Sequence, residues 1–274
     1  MHALQIVWNP SKGIDLGFFM LHYYSMMWIV AFILGFYIMK RIYKNENQTD
    51  ESLDSLFIYS VIGIMLGARL GHVIFYQPEL FKDDFFSIFL PFRFKGGFEF
   101  TGFQGLASHG AAIAMIISMY LYNKKVLHKS VLWILDRVVL PVASGAVFVR
   151  LGNFINSEIV GKPTGSNYGV IFKQNGDIFP RHPAQLYEAF CYIFVFITLW
   201  YFYWKTKKSE QQGFLFGLFL VLLWTVRFVV EFVKEPQNPE RANWILNTGQ
   251  LLSIPFIILG LYFMFVYKPK TKLS

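Results

Sequence analysis

Arg150-Leu-Gly-Asn-Phe-Ile-Asn-Ser-Glu158 stands where a long apolar run, Val131 to Val149, gives way to polar sequence. An apolar run of about 20 residues reads as a membrane-spanning helix. The stretch after it holds an arginine, two amides (Asn153 and Asn156), a glycine and a carboxylate. That is dense polar chemistry for a membrane surface. An arginine there can fork onto a phosphate with two parallel hydrogen bonds, and the asparagines can hold ester or glycerol oxygens. An ordinary helix end fits the same residues, with Asn153 or Asn156 as a cap and Arg150 snorkelling to the interface.

The composition extends the membrane reading to the whole chain. Of 274 residues, 55% are hydrophobic and only 15% charged, against about 25% charged in soluble domains. The expected fold is an all-α polytopic membrane protein forming a single integral membrane domain. The net charge of +8 follows from lysines on the cytoplasmic side of such a protein and does not call for nucleic acid. The lone cysteine, Cys191, excludes a disulfide framework and a cysteine-based metal site. No metal and no cofactor are expected. Residues 1–17 lack the basic start and short apolar core of a cleaved signal peptide.

Seven stretches are apolar enough to span: Leu16–Met39, Ser55–Tyr76, Gly102–Tyr122, Val131–Val149, Gln185–Trp204, Gly213–Val233 and Trp244–Tyr267. Basic residues cluster on alternate connections, at Lys40, Arg41 and Lys44, at Lys124, Lys125 and Lys129, at Lys205, Lys207 and Lys208, and in the tail. With those on the cytoplasmic side, the N-terminus lies outside and the C-terminus inside. The two long outer segments, 77–101 and 151–184, then form a small extracytoplasmic cap, in which Asn167–Pro180 reads as a hairpin with an Asn-Gly turn.

Charges inside spans are costly and mark functional hypotheses. At about 1.5 Å per residue, Arg69, His109, Arg150, Glu188, Arg227 and Glu231 all fall in the outer half of the bilayer. Five different spans thus contribute to one slab, which suits an anionic lipid headgroup with a proton-transfer group beside it. Structural readings stand beside the functional ones. Arg227 and Glu231, four apart, can pair on one helix face. Arg69 can brace a contact made by the small residues around it, and the small neighbours of His109 admit a ligand or another helix. Asp136, in the inner half, reads as structural, paired with Arg137.

The motifs resemble those of the bacterial prolipoprotein diacylglyceryl transferases. The resemblance rests on Arg150-Leu-Gly-Asn-Phe-Ile-Asn-x-Glu158-x-x-Gly161, His109-Gly110, Arg181-His-Pro-Ala-Gln-Leu-Tyr-Glu188 and Arg227-Phe-Val-Val-Glu231-Phe, with Tyr24 and Gly67-Ala-Arg-Leu-Gly71 in support. It implies a multi-pass enzyme of the bacterial cytoplasmic (inner) membrane. That enzyme moves the diacylglyceryl group of phosphatidylglycerol, a membrane lipid, onto the lipobox cysteine of a preprolipoprotein and releases glycerol-1-phosphate. It also implies roles. Arg150 and Arg227 hold the phosphate, and His109 helps deprotonate the thiol. Asn153, Asn156 and Glu158 orient the headgroup, Glu188 and Glu231 hold the arginines, and Gly161 and Tyr24 complete the substrate site.

Three positions depart from the family pattern. Val149 precedes the signature arginine where glycine is frequent. Ala111 follows His109-Gly110 where a second glycine is usual, and Leu223 stands where a tyrosine is expected. A transporter for an anionic solute is the alternative reading, although the offset of the charges to one leaflet and the lack of a visible repeat speak against it.

Overall fold

The computed structural model describes residues 5–17, 20–90, 92–94, 96–100, 105, 107–235 and 246–268. In chain order its elements are β1 (Gln5–Trp8), β2 (Gly13–Asp15), β3 (Met20–His22), α1 (Tyr23–Asn45), α2 (Asp50–Tyr76), α3 (Leu80–Asp83), α4 (Phe86–Phe89), β4 (Phe92–Arg93) and β5 (Glu99–Phe100). They continue as α5 (Ser108–Tyr122), α6 (Val131–Ile155), β6 (Gly169–Phe172), α7 (Ala184–Lys205), α8 (Phe214–Val230) and α9 (Thr248–Leu261). Among the described residues five helices are long and apolar enough to cross a membrane: Tyr23–Asn45, Asp50–Tyr76, Val131–Ile155, Ala184–Lys205 and Thr248–Val266. The expected third and sixth spans correspond to shorter apolar helices, α5 with 15 residues and α8 with 17. Residues 102–104 and 106 of the third and 244–245 of the seventh lie outside the described residues.

Several boundaries differ from the sequence reading, among them the following two. The first helix begins at Tyr23 rather than Leu16, because Gly13–Asp15 and Met20–His22 pair as an antiparallel ribbon. An apolar run alone does not separate such strands from a helix. The fourth helix runs on to Ile155, so Arg150 and Asn153 lie in its last turns and not beyond its end.

The chain divides into two compact units, residues 1–41 with 135–274, and residues 42–134. In the smaller unit α2 and α5 cross at small residues. A Cβ on Gly110 would fall 2.7 Å from Gly71 Cα and closer still to Gly67 O, so the backbones touch, as small residues allow in membrane helix pairs. The glycine of His109-Gly110 therefore serves a helix contact. Arg69 is structural: its Nε and Nη2 donate to the carbonyls of Ile88 and Ser87 at 3.2 and 2.9 Å, pinning α4 to α2.

In the larger unit α8 and α9 meet at Gly217 and Gly260, where a Cβ on either would lie 2.6 Å from the other's carbonyl oxygen. The start of α9 carries a capping box, in which Asn247 Oδ1 accepts from Gln250 N and Gln250 Oε1 accepts from Asn247 N. The start of α8 has only Gly213 as its N-cap. Asp136 of α6 supplies what is missing. Its carboxylate, fully buried, accepts from Gly213 N at 2.7 Å and Phe216 N at 2.9 Å, a negative charge on two free amides and the positive helix end. Asp136 is structural, as expected, but its hydrogen-bond partners are these amides, and the neighbouring Arg137 donates to Ser209 O. Asp136→Asn should cost about 1–2 kcal/mol. Melting of the detergent-solubilised protein checks this, and an unchanged midpoint would refute the capping role.

A layer of short strands completes this unit. β1 pairs in parallel with β6, Gln5 opposite Gly169 through Trp8 opposite Phe172. β6 is bridged to Arg181 through Val170, Arg181 to Pro163, and Gly161 to Lys234. The expected Asn167–Pro180 hairpin is thus only partly present. The chain does turn at Lys173–Gly176 and return to bridge Val170 with Arg181, but the ladder partner of β6 is the distant β1.

Candidate active site

The signature residues are carried by the end of α6 and the reversal after it. Arg150 and Asn153, three apart, share a helix face, and Arg150 Nη1 donates to Asn153 Oδ1 at 3.2 Å. The chain then reverses through Ser157 (φ 56°) and Ile159 (φ 56°). A left-handed conformation costs a non-glycine residue on the order of 1–3 kcal/mol, and the surroundings supply what holds it. Asn175 Nδ2 donates to Ser157 O at 2.8 Å, and Gln185 Nε2 donates to Glu158 O. The reversal returns Glu158 to the helix end. There its Oε2 accepts from Asn153 Nδ2 at 3.3 Å and its Oε1 from Asn156 Nδ2 at 3.1 Å.

The first turns of α7 add Gln185 and Glu188, both fully buried. Glu188 Oε2 lies 2.6 Å from Arg150 Nε, and Glu188 Oε1 lies 3.6 Å from Lys234 Nζ. Lys234 Nζ is in turn 3.3 Å from Glu231 Oε2. Charges of alternating sign therefore run Arg150, Glu188, Lys234, Glu231, with Glu158 joined to Arg150 through Asn153. Buried charges persist only when paired in this way. Burial pushes the Lys234 ammonium below the usual lysine range, while Glu188 and Glu231 push it back up.

Arg227 reaches the same neighbourhood from α8 by a different route from the one its spacing suggests. Among the described residues it makes no ion pair. Its guanidinium carbon lies 5.4 Å from the Trp224 ring centroid. Glu231, expected to hold Arg227, is instead paired with Lys234. The reason is local: Glu231 follows the last residue of α8, and the tightened turn after it, with Lys234 N donating to Glu231 O, swings Lys234 onto the carboxylate. The expected Glu188–Arg150 pairing is present.

The carboxylate oxygens of Glu188 and Oε2 of Glu231 are met by the ion pairs above, whereas two buried polar atoms of this group among the described residues, Gln185 Oε1 and Arg227 Nε, have neither a hydrogen bond nor an ion pair. Such atoms are rare in folded proteins and ask for a partner. One is a donor suited to an anion; the other is an acceptor suited to a hydroxyl group.

The remaining expected residues fall as follows. The ring of Tyr24 packs against Gly152, where a Cβ would sit 2.7 Å from Tyr24 Cδ2. Gly161 N donates to His182 O at 2.9 Å, and a Cβ there would lie 2.8 Å from Val233 O. Its role is to let its own backbone approach those of His182 and Val233. His109 stands in the first turn of α5, in the smaller unit, and its side chain lies outside the described residues. Two residues escaped the sequence reading. Lys234 was detectable as the third member of a face set by Arg227 and Glu231 at spacings of four and three. Arg181 was quoted only within its motif, yet it clamps the layer, with Nε 2.9 Å from Asp177 Oδ2 and Nη1 2.7 Å from Glu235 Oε2.

Residues 12–266 match the family profile described as prolipoprotein diacylglyceryl transferase. A protein of Bacteroides fragilis named phosphatidylglycerol--prolipoprotein diacylglyceryl transferase is 39% identical over 97% of each chain. One of the same name from Tolumonas auensis is 39% identical over 94% of this chain and 96% of its own. Another, from Chloroherpeton thalassium, is 35% identical over 95% and 93%.

Proposed function

Since the chain belongs to the prolipoprotein diacylglyceryl transferase family, we propose that it transfers the diacylglyceryl group of phosphatidylglycerol to the lipobox cysteine of preprolipoproteins, the first step of lipoprotein maturation. The observation that carries the reading is the pair of unsatisfied buried atoms, Arg227 Nε and Gln185 Oε1, in the neighbourhood of Arg150. A phosphatidylglycerol headgroup brings a phosphate acceptor for Arg227 and a glycerol hydroxyl for Gln185.

The sulfur attacks the glycerol carbon that bears the phosphate. A C–S bond forms, the C–O bond breaks, and its electron pair leaves with glycerol-1-phosphate. Arg150 and Arg227 stabilise the charge gathering on that phosphate, while Asn153, Asn156 and Glu158 orient the headgroup. A free thiol has a pKa near 8.5, so a base raises the thiolate fraction, and His109 takes that proton. Thiolate attack and phosphate departure need neither metal nor cofactor. In the membrane, α5 and α8 join the five longer helices as seven crossings of the bacterial inner membrane. The N-terminus and the strand layer face outward, and the C-terminus faces the cytoplasm.

The test is a mass assay with phosphatidylglycerol, a lipobox peptide and its Cys→Ser version. Diacylglyceryl mass on the cysteine peptide alone, with glycerol phosphate released, supports the activity; no gain with folded protein overturns it. In the same assay His109→Ala should lower transfer by about 10²–10⁴-fold, and full activity would remove His109 from the mechanism.

A further inference from the structure

Lys234 is 1% exposed, and the chemistry above makes no use of it. Its backbone is pinned on both sides to the strand layer, with Lys162 N donating to Val233 O at 2.8 Å and Glu235 N donating to Val160 O at 3.1 Å. The start of α9 grips the same turn through Asn247 Nδ2, which donates to Glu231 O at 3.2 Å. The ammonium therefore sits on a fixed mount, within 3.3 Å of Glu231 Oε2 and 3.6 Å of Glu188 Oε1.

Glu231 is held from the other side as well. A Cβ on Gly249 would lie 2.7 Å from both of its carboxylate oxygens, so the carboxylate rests on the first turn of α9, at the positive end of that helix. Four residues before Glu231, the spacing that favours an ion pair along a helix, Arg227 has a buried Nε with no hydrogen bond. An available carboxylate is occupied elsewhere while a guanidinium beside it stays open.

We infer that Lys234 is a positioning residue: it engages Glu231 and shares Glu188 with Arg150, so that Arg227 is left open for the lipid phosphate. The inference rests on the proposed transfer from phosphatidylglycerol for the identity of that phosphate. Without the ammonium, Glu231 would turn to Arg227 and compete with the lipid for it. The effect belongs to lipid binding and not to the peptide thiol.

The experiment compares Lys234→Met and Lys234→Arg in the purified full chain, reading KM separately for phosphatidylglycerol and for the lipobox peptide. Lys234→Met should raise the lipid KM at least about tenfold with the peptide KM unchanged, and Lys234→Arg should restore the lipid KM. Lys234→Met with an unaltered lipid KM would overturn the inference, as would equal losses toward both substrates, which mark a merely structural lysine. If Lys234→Met does not accumulate as folded protein, Lys234→Gln, which keeps a donor for Glu231 but removes the charge, takes its place. A rise in lipid KM with the peptide KM unchanged then supports the inference, and an unaltered lipid KM overturns it. If the unaltered chain transfers nothing, the functional reading itself fails and the inference with it. If that chain is active and only the Lys234 outcomes go wrong, the inference alone fails.

Discussion

Arg150→Ala is expected to lower diacylglyceryl transfer by at least ~10³-fold, the upper range for losing one donor to developing charge. Two losses coincide. The phosphate loses a forked cation, and Glu188, 2.6 Å from Arg150 Nε and fully buried, keeps only Lys234 at 3.6 Å. Removing one member of a buried pair costs about 3–5 kcal/mol, so the variant should also melt earlier. The two effects separate in the pair Arg150→Ala with Glu188→Gln, which should regain stability and not transfer. Arg150→Lys keeps the charge without the fork and should fall between. Transfer by Arg150→Ala within threefold of the unaltered protein would remove Arg150 from the mechanism.

Gly110→Val should be the most damaging single change in the smaller unit. Any Cβ at this position meets the backbone of α2, 2.7 Å from Gly71 Cα and closer to Gly67 O. Backbone cannot rotate away as a side chain can, so the helices must part. Overpacking of this kind costs about 3 kcal/mol, which in a chain of this size lowers the melting midpoint by about 10 °C. The same shift would displace the helix that carries His109. Melting in detergent checks the first effect and the mass assay the second. A midpoint unchanged for Gly110→Val would contradict the close crossing.

The long helices were legible because each is an apolar run near the length a bilayer demands. The pairing of Arg150 with Glu188 was legible because charges are scarce in such runs and each needs an opposite charge. What escaped depends on non-local geometry. Gly13–Asp15 and Met20–His22 read as the start of a span until their pairing is known. Arg227 and Glu231 have ion-pair spacing, yet the turn past α8 and the first turn of α9 take the carboxylate away. Lys234 lies in a polar stretch after the helix, where a lysine looks solvated, and the bridge to Gly161 buries it. Asp136 was rightly read as structural, but no local pattern announces that α8 needs a cap from another helix.

The parallel pairing of β1 with β6 sets an order on biogenesis. Gln5 leaves the ribosome first, and its partner Gly169 follows about 160 residues later, roughly 10–30 s at ordinary elongation rates. Through that interval Ile6 and Val7, which stay exposed even afterwards, belong to a strand with no ladder. Closing so long a loop is an entropic cost that only the finished layer repays. The strand layer over the signature turn is thus among the last parts of this molecule to assemble. A ribosome stalled before residue 169 would hold several inserted helices, with Phe154 still lacking the Phe172 ring that packs against it in the finished layer.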